Sequence, residues 1–407
     1  MLRGFYFSLL LFLLISCGSP SQLTVNQQLQ KDTIDFKKEL SSIPGKTIGE
    51  KMESLLFWSV DEKQRRFPHM QDLFPSIRVE TGSDVYPLLN GKVIDLKISG
   101  SSVGTYFKEN NIGGVIVLKD GKVRFEKYGT GVDENTVWTS FSVGKSITSM
   151  LLGVALKDGF IKGLDDPLAK YISELKNDDY GNVTVRQLLT MTSGIGWNED
   201  YEDHNSDVAQ MYLRPCDGNE PHILTYMKHL KFAGTPGKTW NYSTGETDLL
   251  GILIQKATGK SLAEYLSEKI WKPWGMEHAA YWVADECSGM NLGGSGLSAT
   301  LRDYARLGMV MLKQGKIENK NLFADVWMKD ATSLLQTTGD GGGGYGYLWW
   351  RSPNGNYEAI GIFGQMIYIN PKTNVVIAQF AAWPYAGSKK LIAGRNAFIK
   401  SVEKSLE

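Results

Sequence analysis

The chain has 407 residues, about two to three times a typical domain length, so it can bury a sizeable core. Lys plus Arg number 44 and Asp plus Glu number 44, which excludes the basic surplus of a nucleic-acid binder and the acidic block of a solvating tail. With 42% hydrophobic and 22% charged residues the composition is that of an ordinary globular protein, and 11 Trp, 18 Tyr and 16 Phe suffice for a large core and an aromatic-lined pocket.

The first residues, MLRGFYFSLLLFLLISCGSP, pair Arg3 with an apolar run of about a dozen residues, shorter than the about 20 needed to span a bilayer. Residues 1–17 therefore read as a secretory leader. LISC, ending at Cys17, resembles the bacterial lipobox, whose cysteine is lipidated after cleavage; the alternative is a plain signal peptide with an incidental cysteine. Gly18 after that cysteine fits the outer membrane, so the expectation is a lipid-anchored protein of the bacterial cell envelope facing the periplasm. Residues 18–47 form a polar tether. Residues 48–105, with FWSVDEKQRRFPHMQDLFPSIRVETG, are too aromatic for a linker and predict an arm packed on the main body, as a cover for a pocket or as a brace.

The main domain is expected over 106–400. GGVIVLKDGKVRFEKYG, Gly113 to Gly129, is a hairpin: two apolar-patterned runs flank an Asp-Gly that takes the left-handed turn. Ile147, Met150, Leu151, Val154 and Ala155 recur at helical spacing, and Gly159 ends that helix. DDPLAKYI, TVRQLLTMTSG, ETDLLGILIQKATG and SLAEYLSEKIW then predict several helices, giving an all-helical insertion over about 164–285. TLRDYARLGMVMLKQG is a further helix, YGYLWWR, YEAIGIFGQMIYIN and NVVIAQFAAW read as consecutive strands, and a last helix starts near Lys389. The sum is an α/β (α+β) fold: an antiparallel sheet flanked by helices, with a helical subdomain inserted. GDGGGGYG, Gly339 to Gly346, leads into a strand and lacks a G-K-[ST] ending, so it is a loop and not a phosphate cradle. Cys216 and Cys287 either pair or stand as two buried thiols. The five histidines are scattered and no metal site is expected.

Three S-x-x-K patterns occur: Ser142/Lys145, Ser173/Lys176 and Ser401/Lys404. The last two lie in polar, charged surroundings and read as solvated faces. Ser142 follows a strand-like run and opens the most apolar helix, where backbone N–H groups and the helix dipole favour developing negative charge. Lys145 lies on the same face, and burial there would ease its deprotonation, making it a base for the serine. A competing serine, Ser102, sits in GSSVG, a G-x-S-x-G pattern, but the short polar TYFKENNIGG follows it instead of a long helix.

From SVGK onward an ordered series appears: LLTMTSG, PGKTWNYST, GKSLAEYLSEKIWKPWGM, GGSGLSATLRDYARLG, YGYLWW and GIFGQMIYINP. In this order the chain, over about Gly113 to Trp383, resembles the serine β-lactamase-like hydrolases: class C β-lactamases, DD-peptidases, family VIII carboxylesterases and 6-aminohexanoate-dimer hydrolases. The resemblance implies a β-lactamase/transpeptidase-like fold with Ser142 as acylated nucleophile and Lys145 as its base. It makes Tyr242 the phenol of the second motif, with a pKa lowered enough to exchange a proton, and puts the oxyanion hole at the backbone N–H groups of Ser142 and Ile362. Thr244, where Asn is usual, Gly361 and Trp197 would face substrate; Trp197 is equally readable as a structural residue. The third motif reads Ala359-Ile360-Gly361, without the customary cation, which counts against carboxylate-bearing β-lactams and peptides.

The expected function is an exported serine hydrolase of a small ester or amide, without metal or organic cofactor and without nucleic acid. Its other partner would be the membrane, through the N-terminal lipid. The alternatives are a β-lactamase or DD-peptidase acting on cell-wall-type substrates, and a non-catalytic binding protein on the same fold.

Overall fold

The computed structural model describes residues 36–98, 100–317, 320–324, 326–338 and 343–407. The chain divides into two units, Met1–Ser42 and Ile43–Glu407. In the first, the described part is a helix, Phe36–Ser42. The expected leader, its Cys17 and tether residues 18–35 lie outside the described residues, as do residues 339–342 of the Gly339–Gly346 loop. Among the described residues no helix is long and apolar enough to cross a membrane.

In the second unit the strands in chain order are β1 (Ser76–Val79), β2 (Ile112–Lys119), β3 (Lys122–Tyr128), β4 (Val137–Thr139), β5 (Ala280–Val283), β6 (Leu297–Thr300), β7 (Lys316–Ile317), β8 (Lys320–Asn321), β9 (Gln336–Thr337), β10 (Gly344–Tyr345), β11 (Trp350–Arg351), β12 (Tyr357–Gly361), β13 (Gln365–Asn370) and β14 (Val375–Ala381). Four long helices are α1 (Val143–Lys157), α2 (Thr244–Thr258), α3 (Leu301–Leu312) and α4 (Lys389–Leu406). Eight strands form one antiparallel sheet in the order β3-β2-β14-β13-β12-β11-β10-β9. The β2–β3 turn is the Asp-Gly pair, with Asp120 at φ 53° and Gly121 at φ 75°, as a two-residue hairpin loop requires.

Strand alternation decides which face of the sheet each helix covers. Ile367 packs under α3, where a Cβ on Gly308 would lie 3.0 Å from it and 2.5 Å from Val376. The next-door residues Tyr368 and Asn370 turn the other way and hydrogen-bond Glu403 of α4. Helices therefore cover both faces. α1 is buried from Val143 to Ala155, and its hydroxyls are satisfied by surrounding loops: Ser146 donates to Leu348 O, Thr148 to Gly293 O and Ser149 to Tyr347 O.

Two features depart from the pattern read in the sequence. YEAIGIFGQMIYIN is two strands, because Phe363 (φ 61°) and Gly364 (φ 95°) fold it back between β12 and β13. A second antiparallel sheet, β1-β5-β6-β4, joins the arm to the body, with Ser76 opposite Val283 and Val79 opposite Ala280. The segment 164–285 holds α2 and short helical turns such as Leu168–Lys170 and Val185–Leu189, separated by loops, and runs into β5.

Candidate active site

β4 and α1 meet at a sharp turn. Ser140 N donates to Leu297 O at 2.7 Å, Phe141 takes a left-handed φ of 45°, and Ser142 lands at the N-cap of α1. Its side chain makes no capping bond, so the hydroxyl is free for other partners. One is Lys145, a turn further on: Nζ donates to Ser142 Oγ at 2.8 Å, to Thr244 Oγ1 at 2.8 Å and to Gly294 O at 3.1 Å. Lys145 is 1% exposed, and that burial pulls its pKa down to about 8, against the opposing pull of the Glu199 and Asp248 carboxylates.

Thr244 opens α2 and is held from behind by Glu199. The Glu199 carboxylate accepts from Thr244 N at 2.9 Å, from Thr244 Oγ1, from Trp197 Nε1 and from Tyr201 OH at 2.5 Å. Four donors on one carboxylate make a rigid negative centre one hydroxyl away from Lys145. Sequence reading missed Glu199, although it stands two residues from Trp197 in SGIGWNED. Trp197 itself is buried and supports Glu199; it is not among the residues lining the cavity at Ser142. One turn into α2, Asp248 Oδ1 accepts from Gly294 N at 2.7 Å, and burial raises this carboxyl to about 7. The turn carrying Gly294 O, an acceptor of Lys145, is thereby fixed.

Tyr242 lies beside this pair, its ring centroid 5.1 Å from Lys145 Nζ, stacked on Trp350 at 5.5 Å and edge-on to Tyr345 at 6.1 Å. Its phenol behaves opposite to the expectation of a lowered pKa. Enclosure by aromatic neighbours pushes it well up and the Glu199 charge adds to this, while Ser142 as hydrogen-bond partner works the other way. A phenol so placed is protonated at rest and holds a proton to donate.

Gly361 ends β12 against the turn that carries Ser142. A Cβ there would lie 2.5 Å from Ser140 O and 3.1 Å from Ser142 N, so only glycine allows the approach that sets Ile362 beside Ser142. Ser142, Thr244 and Ile362 share the wall of one cavity of about 70 Å³. Its remaining lining is largely apolar: Met52, Leu55, Leu56 and Met70 from the arm, Phe141, and Val208 and Met211 from the short helix Asp207–Gln210 and its C-cap. Glu53 also lines it, bonded to His204 Nδ1 at 2.7 Å. The arm is therefore part of the cavity wall and not only a brace.

The other serines have different employment. Ser102 Oγ is exposed, accepts from Thr105 N at 3.0 Å and caps the helix Val103–Glu109. Ser173 Oγ bonds the neighbouring Glu174, and Ser401 Oγ bonds Ala397 O within α4. Cys216 and Cys287 form a disulfide across a separation of 71 residues. Beside it His222 Nδ1 lies 2.7 Å from Asp285 Oδ2, which raises the imidazole pKa.

The beta-lactamase family profile matches residues 103–399. A 6-aminohexanoate-dimer hydrolase from Paenarthrobacter ureafaciens is 28% identical over 309 residues, 72% of this chain and 78% of that protein. A beta-lactamase from Pseudomonas fluorescens is 26% identical over 191 residues, 45% of this chain and 49% of that protein. Among solved structures, a Bacillus anthracis protein provisionally described as a 6-aminohexanoate-dimer hydrolase superposes with a TM-score of 0.76 at 26% identity, covering 85% of this chain and 94% of that one. EstCE1, a hydrolase with promiscuous acyltransferase activity, shares the fold at a TM-score of 0.60 and 13% identity, over 74% of this chain and 96% of that one. With the profile spanning most of its length, this chain belongs to the beta-lactamase family of serine hydrolases.

Proposed function

We propose that this protein hydrolyses a small ester or amide through an acyl-enzyme on Ser142, exported and held at the bacterial cell envelope by lipid on Cys17. The observation that carries the chemistry is the 2.8 Å contact between Lys145 Nζ and Ser142 Oγ, with the amine buried and its pKa near 8. Neutral Lys145 accepts the Ser142 proton as Oγ bonds to the carbonyl carbon. The oxygen turned negative faces the N–H groups of Ser142 and Ile362. As the bond to the leaving alkoxide or amine breaks, Tyr242 donates its phenolic proton and is reprotonated by Lys145. Water then attacks the acyl carbon, gives up a proton by the same route, and Ser142 leaves with it as the acid departs.

The cavity's apolar lining suits an uncharged acyl group. Ala359-Ile360-Gly361 supplies no cation for a carboxylate, and the acidic side chain in the lining, Glu53, supplies none either, so carboxylate-bearing β-lactams fit poorly. The relative named for 6-aminohexanoate-dimer hydrolysis supports linear amides within the substrate range. Intact-mass analysis after fluorophosphonate treatment is the test. One adduct is expected on the native protein and none on Ser142→Ala; an adduct that survives in the variant refutes the assignment. Parallel assays with p-nitrophenyl butyrate and nitrocefin should show turnover of the ester far exceeding that of the β-lactam.

A further inference from the structure

The two backbone N–H groups assigned to the oxyanion are each flanked by a phenylalanine in the left-handed region. Phe141, at φ 45°, directly precedes Ser142, and Phe363, at φ 61°, directly follows Ile362. Bulky residues rarely hold that conformation and keep it only where their surroundings over-determine it. Here the surroundings come from the arm. Phe67, with no exposed surface, has its ring centroid 4.9 Å from Phe141 and 5.8 Å from Phe363, and these two are 5.2 Å from each other. One turn earlier on the arm, Lys63 sets Nζ 3.9 Å above the Phe363 ring and donates to Pro384 O at 2.8 Å and Trp383 O at 3.3 Å. The Phe363 backbone is tied to the same loop, its N–H to Ala386 O at 3.0 Å and its carbonyl accepting from Trp383 N at 3.1 Å.

We propose that Phe67 and Lys63 are positioning residues for the oxyanion hole: the arm wedges one aromatic ring between the two strained turns and so fixes the spacing of the Ser142 and Ile362 N–H groups. Neither residue lines the cavity itself; Phe67 stands behind Phe141, which does. Both lie before residue 103, where the family profile begins, so the catalytic segment receives this support from a part of the chain outside it. The wedge meets Phe141 edge to face and Phe363 at a tilt of 39°, and removing the ring frees both turns together. The proposal rests on Ser142 being the acylated residue.

The experiment compares native protein with Phe67→Ala, Phe67→Leu and Lys63→Met, using p-nitrophenyl butyrate and inhibition by butylboronic acid, a tetrahedral-adduct mimic. Loss of a single oxyanion donor costs about 10²–10³ in kcat. Loosening both should lower kcat for Phe67→Ala by about 10- to 100-fold, with KM within about twofold and boronate affinity falling in step with kcat. Phe67→Leu, which keeps part of the wedge, should recover most of it. Unchanged kcat in a folded Phe67→Ala overturns the proposal, as does a fall in kcat accompanied by an equal rise in KM. If Phe67→Ala does not fold, Lys63→Met decides by the same criteria. Fluorophosphonate labelling of native protein in the same series separates the two readings: without a Ser142 adduct the nucleophile assignment fails, whereas an adduct with unaltered variant kinetics defeats the wedge alone.

Discussion

The proposed chemistry turns on one amine, and its environment fixes the direction of its pH dependence. Burial lowers Lys145 to about 8 while Glu199, and after it Asp248, raises it. Lys145 can take the Ser142 proton only when neutral, so kcat/KM should climb about tenfold per pH unit below 8 and level above it. Glu199→Gln keeps the shape of the side chain and removes its charge. Lys145 then loses its largest stabilising partner for the protonated form, its pKa falls further, and the acidic limb must move to lower pH. Lys145→Ala should lose about 10²–10⁴ in kcat at every pH. A pH–rate profile of the ester reaction for the three proteins checks both; a Glu199→Gln limb displaced to higher pH would contradict the assignment.

At the scale of elements, close packing decides what the sequence can show. α3 lies against the large sheet through Gly308, where a Cβ would sit 2.5 Å from Val376 and 3.0 Å from Ile367. Gly308→Ala therefore overpacks the helix–sheet interface and should destabilise by about 1–3 kcal/mol despite alanine's better helix propensity. Chemical denaturation would read this as a lower midpoint at constant slope. The hairpin β2–β3 and the helices α1 and α3 were legible because turn chemistry and periodicity are local. The break between β12 and β13 was not, since Phe363 in a left-handed turn is sustained by Phe67, nearly 300 positions away. Nor was the small sheet: SIRV and AYWV are four-residue strands whose pairing is a long-range fact. At the site, Ser142 and Lys145 share a helix turn and could be found by spacing. Glu199 sits in a loop, among acidic residues that look solvated until Thr244, Trp197 and Tyr201 are seen to converge on it.

For the whole molecule the question is where the folding unit starts. The family profile begins at residue 103, which invites cutting there. The packing argues against it. Trp58, Phe67, Met70, Leu73, Phe74 and Val79 of the arm are each at most 4% exposed, and β1 is paired with β5. Burying a large apolar side chain stabilises by about 1.5–3 kcal/mol, so six contribute roughly 9–18 kcal/mol. That equals or exceeds the roughly 5–15 kcal/mol by which folded domains outweigh their unfolded chains. Removing the arm would also uncover Trp138, Phe141 and Phe363 on the body, against which Phe67 packs. A chain of residues 103–407 should therefore fail to give a cooperative thermal transition and should bind a hydrophobic dye. A chain of residues 43–407 should unfold in a single step and keep full ester hydrolysis. If the shorter chain melted cooperatively and turned over p-nitrophenyl butyrate at the native rate, the arm would be an accessory to the fold and the wedge on the oxyanion turns would go with it.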